Sequence, residues 1–115
     1  MKKKFYIYQE DLIKYQVAHE AIGISQFVEA LNNMFCVSGM KKLRTNQITD
    51  FLLKQGYLYF DKDEERKRPT LKGKMLGIQI GQTKDGQGKT RRVNLYDARA
   101  QQYILDRFYD IILLN

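Results

Sequence analysis

The chain holds one cysteine, Cys36, one histidine, His19, and one proline, Pro69. A single thiol closes no intramolecular disulfide and builds no cysteine-rich zinc site. A single imidazole excludes a multi-histidine metal site. With one proline and no Pro/Ser-rich stretch, composition marks no boundary, and 115 residues suit one ordinary domain. Long apolar runs are also missing. No stretch approaches the roughly 18–20 residues of a membrane span, so no membrane partner is expected. After Met1-Lys2-Lys3-Lys4 the run Phe5 to Tyr8 is cut by Gln9, Glu10 and Asp11, short of the about 7–15 apolar residues of a secretory signal. The simplest address is therefore the cytoplasm. Ile111-Ile112-Leu113-Leu114 at the other end is long enough only for packing.

Positive charge is plentiful. Lys plus Arg number 20 against 13 Asp plus Glu, a net charge of +7, and the pI is about 9.5. Apolar types make 43% of the chain and charged types 29%, proportions of a globular protein. Such a balance points to anionic partners. The excess is uneven. Lys2, Lys3 and Lys4 open the chain, and the stretch from 5 to 40 is acidic, with Lys14 against Glu10, Asp11, Glu20 and Glu29. Lys41, Lys42, Arg44 and Lys54 then stand against Asp50 alone, and Lys84, Lys89, Arg91 and Arg92 against Asp85 alone. The N-terminal lysines read either as a solvated terminus or as a basic arm along a phosphate backbone.

Periodicity supplies the elements. Leu12, Ile13, Gln16 and Val17 predict a first helix over about Gln9 to Ala21, with Glu10 and Asp11 in its first turn. Ser25 is an N-cap candidate, and Phe27, Val28, Leu31, Met34 and Phe35 carry a second helix to Phe35. Thr45 is the next cap candidate. Ile48, Phe51, Leu52 and Gln55 give a third helix over Asn46 to Gln55, with Gly56 as its left-handed C′ residue. Tyr57 to Phe60 reads as a strand and Asp61 to Arg68 as a charged, solvated turn. Thr70 opens a short helix that ends at Gly77. Ile78-Gln79-Ile80 and Thr90 to Tyr96 flank Asp85-Gly86 as a hairpin. Ala100, Tyr103, Ile104, Arg107, Phe108 and Ile111 predict a last helix from Asp97 to Leu113.

The expected fold is therefore α+β and winged-helix-like: three N-terminal helices, a β-hairpin wing and a C-terminal helix. Cations collect where such a shape grips double-stranded DNA. Lys41, Lys42, Arg44 and Lys54 serve the helix side, with Asn46 and Gln47 at the start of the third helix, where amide side chains can pair with adenine edges. Lys84, Lys89, Arg91 and Arg92 serve the wing. These ten residues are the expected nucleic-acid-binding set. A homodimer through the apolar C-terminal helix is the expected assembly.

Catalytic signals are weak, and neither an enzyme, a metal site nor a cofactor is expected. Asp63-Glu64-Glu65 is wrapped in Lys62 and Arg66-Lys67-Arg68 and lacks the ligand spacing of a calcium loop. Gly81 to Thr90 lacks the Lys and Ser/Thr offset of a phosphate-binding loop. His19 beside Glu20 has no nucleophile to serve, and Cys36 reads as a small apolar residue. The eight tyrosines, Tyr57, Tyr59, Tyr103 and Tyr109 among them, pack in the core by default. Exposed ones can stack on unpaired bases or anchor a protein interface.

Three runs carry a family resemblance: Gly23-Ile24-Ser25 to Tyr57-Leu58, Arg68-Pro69-Thr70 to Gly77-Ile78, and Ala100-Gln101-Gln102-Tyr103-Ile104-Leu105. Together, and above all in "QGYL" and "PTLKGKMLGI" with its T-x-x-G step, they resemble small winged-helix modules of bacterial and phage proteins. The resemblance implies a DNA-binding or regulatory role in transcription or in a mobile element. The segment from Cys36 to Arg44 is longer than the turn of a plain helix-turn-helix. The rival expectation is a protein-interaction module accessory to a replication or recombination complex, since shape alone does not set function.

Overall fold

A computed structural model describes residues 1–113. The third-helix pattern is realised as a helix over Thr45–Lys54, one register earlier than the capping signal suggested. Arg44, not Thr45, is its N-cap, and the Gln47 side chain accepts the Arg44 N–H at 2.9 Å. Its other end follows the sequence closely. Gly56 has φ +84°, its N–H reaches the Leu53 carbonyl at 3.2 Å, and the Tyr57 N–H reaches that of Leu52 at 2.9 Å. This doubly bonded left-handed exit satisfies carbonyls the helix would leave open.

In chain order the described elements are α1 (Gln9–Leu12), β1 (Ile22–Gly23), α2 (Ile24–Phe35), α3 (Thr45–Lys54), β2 (Leu58–Asp61), β3 (Arg66–Pro69), α4 (Leu71–Leu76), β4 (Ile78–Lys84), β5 (Thr90–Tyr96), α5 (Ala98–Asp106) and α6 (Phe108–Leu113). The class is α+β, with six helices where five were expected. A three-stranded antiparallel sheet has the order β1-β5-β4, and β2 pairs with β3 in a separate hairpin. The core gathers Phe27, Leu31, Ile48, Leu52, Ile78, Tyr96, Ile104 and Phe108, all at most 1% exposed, between α2, α3, the C-terminal helices and the sheet. No helix of the described residues is long and apolar enough to cross a membrane.

Four expectations are corrected. The first helix is a single turn, Gln9–Leu12, and part of the expected remainder is held in a non-helical course: Gln101, fully buried, accepts the Ala18 N–H at 2.8 Å and donates to the Tyr96 carbonyl at 2.9 Å. The second helix begins at Ile24 with Gly23 as N-cap, since β1 pairs with β5 through Gly23 and Leu95 and runs straight into the helix. The charged turn is a strand in its second half. Arg66–Pro69 has no apolar alternation, yet it pairs with β2 from Leu58↔Pro69 to Asp61↔Arg66, because Arg68 turns inward to polar partners. The last helix is split at Arg107. α5 packs on β5 while α6 packs on α3, and the break allows one apolar stripe to serve both. Leu114, at the end of the apolar run read from the sequence, lies outside the described residues.

The β4–β5 hairpin forms as expected, with register Ile78↔Tyr96 to Lys84↔Thr90. Its turn differs in detail. The residue in the left-handed region is Gly88, φ +80°, not Gly86. The Asp85 carboxylate accepts the Gln87 and Lys89 N–H groups at 2.8 and 3.0 Å. A tight turn followed by a left-handed glycine is a common three-residue hairpin closure.

Candidate nucleic-acid interface

The N-terminal arm is fastened down. The Lys3 N–H donates to the Gly39 carbonyl and the Lys41 N–H to the Lys3 carbonyl, each at 2.8 Å. Phe5 and Ile7 are buried. The Phe5 ring meets Phe108 edge-on at 6.0 Å, and the Tyr109 hydroxyl donates to the Ile7 carbonyl at 2.7 Å. This strap places Lys4 beside the segment that leads into α3. A second tether fixes that segment from the other side. Asn32 on α2 accepts the Leu43 N–H at 2.8 Å and donates to the Leu43 carbonyl at 3.0 Å.

Between these tethers lies a cleft of about 230 Å³ whose charged walls are Lys4, Lys41, Lys42 and Arg44. Gln47, Phe5 and Ile112 complete it, and among the described residues no carboxylate lines it. The four cations are exposed, and among the described residues none of them is in an ion pair.

A second basic cleft, about 450 Å³, lies between the start of α2 and the two hairpins. Arg66, Lys67, Arg68, Arg91 and Arg92 line it together with Ser25 and Gln26. Its cations are partly neutralised. Arg68 is buried and grips Glu64 with two bonds, 3.1 and 2.9 Å, while its other nitrogen donates to the Asn94 side chain at 3.1 Å. Arg92 meets the same Glu64 at 2.9 Å. Lys67 reaches Asp50 at 2.6 Å and the Thr49 hydroxyl at 2.9 Å. The Arg68 guanidinium, bonded to the Glu64 carboxyl, holds that carboxyl below the usual carboxylate range, with Arg92 and Arg66 adding to the effect. Arg68 and Glu64 therefore fasten β3 to β5 and leave Arg66 and Arg91 as the exposed cations of this cleft that form no ion pair among the described residues.

A neutral groove joins the two. Ser25, Glu29, Asn32, Asn33, Thr45 and Lys42 line it along α2 and the start of α3. Lys42 belongs also to the first cleft and Ser25 to the second. The two basic clusters thus adjoin one intervening groove, whose acidic lining side chain is Glu29.

Of the ten residues expected to bind nucleic acid, Lys41, Lys42, Arg44 and Gln47 share the first cleft, and Arg91 and Arg92 share the second. Asn46, Lys54, Lys84 and Lys89 are exposed but line neither. The Gln47 amide oxygen is engaged in capping α3. Sequence reasoning did not select Asn32, Arg66 or Gln101, and left Lys4 as one of two readings of the terminus. The signals that could have found them were an asparagine pair inside an apolar helix and an Arg-Lys-Arg run ending in proline. No family model, no curated protein and no solved structure matches the chain.

Proposed function

We propose that the chain is a winged-helix-like protein that binds double-stranded DNA chiefly through phosphates, as a regulator of transcription or of a mobile element. The observation that carries this reading is the cleft of Lys4, Lys41, Lys42 and Arg44, with no carboxylate in its lining among the described residues. Unpaired cations held on tethered backbone are what a phosphate run needs, because each neutralised phosphate releases condensed counterions. The second cleft extends the track, and the molecule's longest dimension, 38 Å, matches about one turn of B-DNA, about 34–36 Å. Element order supports the shape: β1 precedes the α2–α3 pair, and the sheet closes through β5 and the β4–β5 hairpin. A further hairpin, β2–β3, and α4 stand between α3 and β4.

A homodimer through the C-terminal helix gains no support from burial. Phe108, Ile111 and Ile112 belong to the chain's own core. The rival reading, a protein-interaction module, is favoured by the exposed Phe60, Leu71 and Met75. Fluorescence anisotropy with a random blunt duplex separates the two. Neutralising about four phosphates gives an affinity that falls about a hundredfold between about 50 and 200 mM salt. No binding at the lower salt would remove the DNA reading and leave the other.

A further inference from the structure

We infer that the extended arm Lys4–Tyr8 forms a stacking platform for unpaired bases at a duplex end or opening, contiguous with the basic cleft. This rests on the DNA reading above and adds a second ligand element to it. Burial alternates along the arm: Phe5 and Ile7 point into the core, while Lys4, Tyr6 and Tyr8 point out. Tyr6 is 44% exposed and Tyr8 65%. Their rings stand edge to face at 5.4 Å, and Tyr6 lies 5.7 Å from the Tyr109 ring. They open onto a groove of about 400 Å³ whose other wall is Met34, Val37 and Met40. Met34 and Val37 are themselves 62% and 63% exposed.

The occupant follows from what adjoins the groove. Both walls continue into the basic cleft: the arm through Lys4, and the opposite segment from Met40 into Lys41 and Lys42. An extended chain advances about 3.3 Å per residue, so the tyrosines follow Lys4 within about 13 Å. A strand whose phosphates lie on the lysines therefore reaches the groove with its next nucleotides. The groove has aromatic and thioether walls, suited to base faces. Its charged lining residue is Asp11, which repels phosphate and can accept base amino hydrogens. Phosphates stay at the lysine end and bases enter the aromatic end. Base–aromatic stacking is sequence-tolerant because every base presents a π face.

The test uses the full chain and two labelled DNAs: a blunt duplex and the same duplex with a single-stranded overhang of about five nucleotides. The overhang duplex is expected to bind about 5- to 160-fold more tightly, the range given by stacking of one base. Tyr6→Ala/Tyr8→Ala should abolish that preference and leave blunt-duplex affinity unchanged. Tyr6→Phe/Tyr8→Phe should keep it, since the ring and not the hydroxyl is used. Circular dichroism of each variant establishes folding. Equal affinity of the unmodified protein for the two DNAs overturns the platform while leaving duplex binding intact. A preference that survives in the folded alanine variant overturns it as well. Failure to bind the blunt duplex overturns the underlying DNA reading.

Discussion

Replacing Asn32 with alanine probes the link between packing and charge placement. The side chain makes two hydrogen bonds to the backbone of Leu43, a residue only 2% exposed. Losing both, with the Leu43 N–H and carbonyl poorly placed to reach water, costs about 2–3 kcal/mol. Alanine is the better helix former by about 0.6 kcal/mol, so the net loss is about 1.5–2.5 kcal/mol. For a domain of this size that lowers Tm by roughly 6–10 °C. Asn33, the next residue on α2, is exposed, and its side chain forms no hydrogen bond among the described residues. Asn33→Ala should therefore raise Tm slightly. Calorimetry or urea melts of both variants supply the assay. Asn32→Ala should also weaken duplex binding, because Lys41, Lys42 and Arg44 sit on the released segment. Equal Tm values for the two variants would refute the tether.

Other expectations follow from single side chains. Gln101→Leu leaves the Ala18 N–H and the Tyr96 carbonyl without their partner and should destabilise by about 2–4 kcal/mol in denaturant melts. The depressed Glu64 carboxyl contributes stability that is present above the ordinary carboxylate pKa and is lost as pH falls through its folded value. Acid unfolding should accordingly be less steep in Glu64→Gln than in the unmodified chain, as followed by circular dichroism. At the alkaline end, burial together with the neighbouring Tyr57 pushes the Tyr103 phenol up to about 12, and burial pushes Tyr96 up as well. Stability from these phenols is complete below about pH 10 and is lost as pH rises through the folded values. Spectrophotometric titration should show part of the tyrosine absorbance change delayed until the chain unfolds.

Elements with strong local signals were legible in the sequence. The Gln55-Gly56 exit of α3 and the Thr70 cap of α4, whose hydroxyl accepts the Gly73 N–H at 3.1 Å, depend on residues within one turn. The two strands of the β4–β5 hairpin were legible on either side of the glycine-rich turn, whereas the turn itself is closed by Gly88 and not by Asp85-Gly86. What failed depended on distant partners. Gln101 holds Ala18, inside the expected first helix, from 83 positions away, and no local pattern records that. β3 consists of Arg66, Lys67, Arg68 and Pro69, which reads as a solvated turn until Glu64 and Asn94 are seen to receive Arg68. The basic segments were visible as charge counts. Which cations stay unpaired was not, because that depends on Glu64 reaching Arg68 and Arg92 and on Asp50 reaching Lys67. The strapping of Lys4 beside Lys41 and Lys42 likewise rests on a backbone bridge between Lys3 and Met40.

The most direct measurement is the salt dependence of blunt-duplex binding for Lys41→Ala/Lys42→Ala, set against a control, Lys14→Ala/Lys74→Ala, that removes the same charge elsewhere. If the cleft of Lys4, Lys41, Lys42 and Arg44 holds phosphates, the slope of log K against log salt should shrink by about 1.8, about 0.9 for each phosphate no longer neutralised, and the control should keep the parent slope. Equal slopes for the two variants would mean that general charge, and not this cleft, attracts the nucleic acid.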